Sequence, residues 1–143
     1  MITRNATAVW QGGLRDGKGT LSVGSGAFKD SPYSFRDRFE DGPAMNPEEL
    51  IAAAHAGCYA MALSGQLGER GMTARRLDVT ARVGMDRTEA GPTVVSSHLV
   101  LKASITGGDR SKFKEAADAA KAGCPISRLL GNLKITLEAT LED

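Results

Sequence analysis

The sequence of 143 residues is short of cysteine, of aromatic residues and of any charge imbalance. It holds two cysteines, two histidines and one tryptophan. Aromatics at 5% mean that the core has to be aliphatic and alanine-rich, because the hydrophobic content is still 41%. A formal charge of +1 excludes the basic surplus of an ordinary nucleic-acid binder. No stretch approaches the roughly 18 consecutive apolar residues of a membrane span. The N-terminus has no apolar segment of the signal-peptide kind, so a cytoplasmic protein is expected. In a reducing compartment, two cysteines point to redox chemistry, metal binding or inert burial rather than a structural disulfide. There is no internal repeat and no low-complexity linker, and the length suits a single domain over residues 1–143.

The organising stretch is Asn46-Pro47-Glu48-Glu49-Leu50-Ile51-Ala52-Ala53-Ala54-His55-Ala56-Gly57-Cys58. Asn46 is a good N-cap, Pro47 suits the first helical position, and Glu49 completes a capping box. Glu48 and Glu49 complement the positive end of the helix dipole. The pattern predicts a helix to about Gly68. A stripe of Leu50, Ile51, Ala54, Cys58, Met61, Ala62 and Gly65 is expected along it, and the other faces are also apolar. A helix apolar nearly all round must be covered on several sides. A sheet can cover one side and a partner subunit another, so a dimer is expected.

Before this helix, residues 5–10 and 19–23 read as two short strands around an Asp16-Gly17 turn. Residues 12–20 almost match the phosphate-binding loop. Gly19, however, stands where that loop needs a hydroxyl, and a strand follows instead of a helix. A hairpin turn is the reading. In the passage Phe28 to Phe39, an extended segment is expected, with Phe35, Asp37 and Phe39 on one face and Arg36 and Arg38 on the other.

After the helix, Leu77 to Met85 and Val95 to Ile105 alternate as two half-buried strands, paired antiparallel through a turn at Glu89-Ala90-Gly91-Pro92. A second helix starts at Asp109 or Ser111, with Phe113, Ala116, Ala117 and Ala120 as its core stripe, and ends at Gly123. Cys124-Pro125 opens a short third helix through Leu130, and Leu133 to Leu141 alternates as a last strand. Clustered elements of this kind imply an α+β fold with largely antiparallel sheets.

Chemistry can reside in the two cysteines. A thiol reacts as its thiolate, which needs a nearby cation, a helix N-terminus or a metal. Cys124 stands at a helix start, and on local grounds it is the more acidic thiol. Cys58 lies about three turns into its helix and needs a cation from elsewhere. Either can equally be a small buried hydrophobe. His55, three residues before Cys58, invites a Cys-His nucleophile pair, with His98 as another base. No acidic orienter is evident, and His55 reads better as a packing or interface residue. A zinc site on both cysteines and both histidines lacks any paired ligand spacing. Glu48 precedes Cys58 by close to three helical turns, so an arginine clamped by Glu48 could reach toward the sulfur. Arg38 has an equally plain reading as an exposed charge.

The Asn46–Cys58 run closely resembles the signature of the OsmC/Ohr family, the osmotically inducible protein C and organic hydroperoxide resistance proteins. Lys121-Ala122-Gly123-Cys124-Pro125-Ile126-Ser127 resembles the second cysteine motif of that family. Trp10-Gln11-Gly12-Gly13, Gly17-Lys18-Gly19-Thr20, Pro32-Tyr33-Ser34-Phe35 and Arg38-Phe39-Glu40 resemble the OsmC branch in particular. The resemblance implies antiparallel sheets wrapped around a long central helix in an intertwined homodimer. It implies a thiol peroxidase that reduces organic hydroperoxides in oxidative or osmotic stress defence, without metal or other cofactor. Cys58 would be the peroxidatic and Cys124 the resolving cysteine, with Arg38 and Glu48 as the activating pair and Arg15 and Arg36 as alternative arginines. A dithiol, such as a lipoylated protein, would be the reductant. A non-catalytic redox-responsive stress protein and a Cys-His hydrolase are the rival readings.

Overall fold

The computed structural model describes residues 1–142, which form two compact units, Met1–Leu50 and the remainder from Ile51. In the first unit, β1 (Ala6–Gln11), β2 (Lys18–Val23) and β3 (Ser31–Tyr33) make an antiparallel sheet in the order β1-β2-β3. The hairpin between β1 and β2 lies where the near-match to a phosphate loop stood. Gly19 is paired with Trp10 on one side and Tyr33 on the other. The two rings meet across it at a centroid distance of 5.5 Å. A Cβ on Gly19 would run into the Tyr33 ring and lie 2.6 Å from Trp10 Cε3, so the aromatic pair depends on the missing side chain.

Residues Phe35–Phe39 are helical (α1), not extended. Ser34 takes extended backbone angles and its hydroxyl caps the Asp37 N–H, which starts the turn. Phe35 and Phe39 are four residues apart, a spacing that fits one face of a strand and one face of a helix alike. Their rings meet at 4.8 Å. The long helix α2 (Pro47–Glu69) starts as its sequence predicts, with Asn46 Oδ1 accepting from the Glu49 N–H at 2.8 Å.

In the second unit, β4 (Ala74–Thr88), β5 (Gly91–Ile105) and β6 (Lys134–Glu142) form a sheet in the order β4-β5-β6. β4 and β5 are antiparallel, joined by a tight turn at Glu89-Ala90. β6 runs parallel to β5, unlike every other pair. The connection between them is a crossover through α3 (Arg110–Gly123) and α4 (Pro125–Leu129), the kind of link that a parallel pair requires. Ser97, Leu99, Leu101, Ala103 and Ile105 of β5 point into the core. There they join Phe113, Ala116, Ala117 and Ala120 of α3, the stripe expected from the sequence.

The buried stripe of α2 is His55, Tyr59, Leu63 and Leu67, at four-residue intervals. Tyr59 donates its hydroxyl to Ala117 O at 3.1 Å. The expected stripe centred on Ala54, Cys58 and Met61 is only partly inward. Met61 is 79% exposed, and Ala53, Ala54, Gly57 and Gly65 are also exposed. Among the described residues, no helix is long and apolar enough to cross a membrane.

Candidate active site

The chain brings its two cysteines to one place in the second unit. Cys124 is fully buried in the core cluster, and Cys58 packs against that cluster from α2. Both are free thiols. Burial pushes the Cys58 thiol above its ordinary value; the backbone N–H of Ile126 pulls it down, and the neighbouring Cys124 thiol adds to the rise. The amides at the start of α4 therefore serve both sulfurs. Ile126 faces Cys58, and the Ser127 N–H donates to Cys124 Sγ at 3.2 Å. The sequence offers Cys124 that helix start but gives no hint that Cys58 shares it.

Cys124 is held by its position between two helices. Its N–H donates to Ala120 O at 3.0 Å, closing α3, and its sulfur caps α4. Its S–H donates to Ser127 Oγ at 3.2 Å. Ser127 Oγ in turn lies 2.8 Å from His55 Nε2, and His55 Nδ1 lies 2.6 Å from Ser97 Oγ. His55 is buried completely, which lowers its pKa from the ordinary 6.5 by desolvation. Both its ring nitrogens are occupied by serine hydroxyls, so it is not a base for Cys58, and the Cys-His hydrolase pair is not formed. His98 points to the other face of the sheet, with Nδ1 at 2.6 Å from Thr136 Oγ1 and Nε2 at 3.8 Å from Glu138.

In the first unit, Arg38 and Glu48 are paired. Arg38 donates from Nε at 3.1 Å and from Nη2 at 2.9 Å to Glu48 Oε1. The Glu48 side chain is 11% exposed and that of Arg38 is 41% exposed. The carboxylate is thus fixed within the structure, while part of the guanidinium stays available. The guanidinium also lies 5.3 Å from the Phe39 ring centroid. Arg15 is stacked 4.7 Å over Phe35, and Arg36 is exposed. Neither alternative arginine is paired with Glu48 among the described contacts.

Two supports escaped the sequence reading. Asp37 accepts from the Ser34 hydroxyl at 2.7 Å and from the Ala44 N–H at 2.9 Å, and its backbone O accepts from Asn46 Nδ2 at 3.1 Å. The bonds to its carboxylate lower its pKa, the Ser34 side chain contributing most and the Ala44 N–H next. Together with the Asn46 bond they tie α1 to the residues that start α2, and so set Arg38 against Glu48. Gly42 leaves room for this, since a Cβ there would collide with Asp37. The signal was Ser34-Phe35-Arg36-Asp37, a capping pattern whose ends stand three positions apart. The other support is the Ser97–His55–Ser127 chain. Its trace in the sequence is Ser97 itself, a hydroxyl at an inward position of an otherwise apolar strand face.

Comparison with known proteins identifies the family. Residues 40–138 match the family described as OsmC-like protein. Peroxiredoxin OsmC of Escherichia coli (strain K12) is 43% identical over 141 residues, covering 99% of this chain and 98% of that protein. An organic hydroperoxide resistance protein of Xanthomonas axonopodis pv. citri is 26% identical over 98 residues, 67% of each chain. The crystal structure of the organic hydroperoxide resistance protein OhrB of Bacillus subtilis superposes with a TM-score of 0.74 at 25% identity, over 95% of this chain and 98% of that one. The protein belongs to the OsmC-like family.

Proposed function

We propose that the protein is a thiol-dependent peroxidase that reduces organic hydroperoxides to alcohols in stress defence. The observation that carries the reading is the meeting of Cys58 and Cys124, both free, at one point of the core. The names of the relatives point the same way: peroxiredoxin and organic hydroperoxide resistance protein. Cys58 attacks the distal oxygen of ROOH, ROH leaves, and a sulfenic acid remains on the sulfur. Cys124 condenses with it to a disulfide, releasing water. A dithiol, such as a lipoylated protein, then restores both thiols by exchange.

Burial alone leaves Cys58 a weak nucleophile, so the reaction requires a cation. We assign that role to Arg38, oriented by Glu48. The guanidinium stabilises the thiolate and the charge that develops on the leaving oxygen. Alanine-rich surroundings favour an alkyl hydroperoxide over hydrogen peroxide. The exposed face of α2 is small and apolar, and a Cβ at Gly57 or Gly65 would meet nothing. A second copy of the chain on this face makes the homodimer. Two reduced thiols suit the cytoplasm.

The test is turnover of cumene hydroperoxide with a dithiol. Cys58→Ser abolishes it, whereas Cys124→Ser still consumes one equivalent and stops at the sulfenic acid. Full activity in Cys58→Ser contradicts the reading.

A further inference from the structure

We propose that Ser127 and His55 form a proton-accepting chain for Cys124, so that the resolving thiol gives up its proton inward while it closes the disulfide. The proposal rests on the peroxidase reading and adds two residues to its second step: Ser127, which touches the reacting sulfur, and His55, which acts through Ser127.

The chain has four members in line, with Cys124 Sγ to Ser127 Oγ at 3.2 Å, Ser127 Oγ to His55 Nε2 at 2.8 Å, and His55 Nδ1 to Ser97 Oγ at 2.6 Å. Cys124, His55 and Ser97 have no exposed surface and Ser127 is 4% exposed. Cys124 therefore has no direct route to bulk water for its proton. The polarity we assign to the rest follows from the first bond. The Cys124 S–H points at Ser127 Oγ, which leaves the serine hydrogen for Nε2. His55 Nε2 then carries a lone pair, and Nδ1 carries the hydrogen donated to Ser97. Every bond runs in one direction, from thiol to imidazole. Burial keeps the ring neutral and therefore ready to accept. The same burial makes the imidazolium costly, so the proton moves only as the sulfur–sulfur bond forms. A core that needed only packing could use apolar residues at these positions with no loss, because replacing all partners of a buried hydrogen-bonded set is close to neutral.

The step balances. An electron pair of the Cys124 sulfur attacks the Cys58 sulfur, and the S–O bond of the sulfenic acid breaks. The thiol proton passes to Ser127 Oγ as the serine hydrogen passes to His55 Nε2. The hydroxide leaves on the half-buried Cys58 side and takes its proton from solvent, while His55 keeps the thiol proton until a dithiol reopens the disulfide, when it returns through Ser127 to the Cys124 sulfur. The Cys124 sulfur is oxidised and the Cys58 sulfur is reduced to the disulfide level, with no further oxidant.

The experiment is rapid mixing of the reduced protein with one equivalent of cumene hydroperoxide. Acid-quenched mass spectrometry then follows sulfenic acid and disulfide separately. Ser127→Ala and His55→Gln should form sulfenic acid at the wild-type rate and disulfide roughly 10²-fold more slowly. Glutamine is informative because its amide can keep both hydrogen bonds but cannot take a proton. Ser127→Thr, which keeps the hydroxyl, should recover most of the rate. Disulfide formation at wild-type speed in His55→Gln overturns the proposal, as does equal slowing of both steps. ¹⁵N NMR of the reduced wild-type protein gives a test free of both variants and peroxide. The chain requires His55 with hydrogen on Nδ1 and a bare Nε2, and the opposite tautomer overturns it. If the wild type forms no sulfenic acid, the peroxidase reading fails, and the tautomer still decides the direction of the chain.

Discussion

Arg38 reaches Glu48 with two of its nitrogens, Nε at 3.1 Å and Nη2 at 2.9 Å from the same carboxylate oxygen. Glu48 stands in the first turn of α2, so helix start and carboxylate together fix where the guanidinium can be. With its guanidinium partly in solvent, a pair of this kind contributes little to stability. Its value here lies in orientation, and it is the part of the proposed site that can be altered without touching a sulfur.

Removing this guanidinium should therefore slow the peroxide step far more than it weakens the fold. Arg38→Ala is expected to lower kcat/KM for cumene hydroperoxide by roughly 10²-fold, the typical cost of losing one preorganised charge donor. Arg38→Lys keeps the charge but not the two-nitrogen grip, and should recover only part of the loss. Stopped-flow oxidation of Cys58 measures both. An Arg38→Ala rate equal to wild type would shift the role to another cation.

The Trp10–Tyr33 contact over Gly19 gives a stability prediction for the first unit. Gly19→Val forces both rings aside and should cost about 1–3 kcal/mol by overpacking. Trp10 is the single tryptophan, so its fluorescence reports the site directly. An unchanged emission maximum together with an unchanged unfolding midpoint would refute the contact.

His55 makes stability depend on acid. Its folded-state pKa lies below the ordinary 6.5, so the unfolded chain takes up the proton first as pH falls. The stability from neutral, buried His55 is complete above pH 6.5 and declines as pH drops from there toward the folded value. The slope is at most about 1.4 kcal/mol per pH unit. Urea unfolding between pH 8 and 5 should show the decline in the wild type and a flatter profile in His55→Gln. Parallel profiles would mean that the ring is not held neutral.

Met61 stands in the middle of the uncovered face of α2 and is 79% exposed in the single chain. Met61→Glu places a charge where the proposed second copy packs, and burying it unpaired is strongly unfavourable. Light scattering should find a dimer for the wild type and a monomer for the variant. A wild-type monomer would remove the dimer from the account.

The physical reasons for what the sequence disclosed differ by element. Asn46 and Pro47 announce α2 because capping is local, and Leu99, Leu101 and Ala103 announce β5 because alternation is local too. The inward face of α2 was misread because an alanine-rich helix offers little contrast between its sides. His55 and Tyr59, polar at one end, lead the buried stripe while Met61 lies outside. Phe35 and Phe39 misled because their spacing serves both periods. The link of His55 to Ser97 and Ser127 spans 42 and 72 positions, and no local pattern encodes it. Both cysteine motifs were legible, but the contact of Cys58 with the start of α4 was not, since it arises only when α2 and α4 share a core.

The central claim is that Cys58 and Cys124 work as one redox pair. Intact mass after a stoichiometric dose of cumene hydroperoxide to the reduced protein tests it most directly. The account predicts the loss of two hydrogens per chain, reversed by a dithiol and absent in Cys58→Ser. A wild-type mass that stays unchanged, or that gains one oxygen and persists without forming the disulfide, would contradict it.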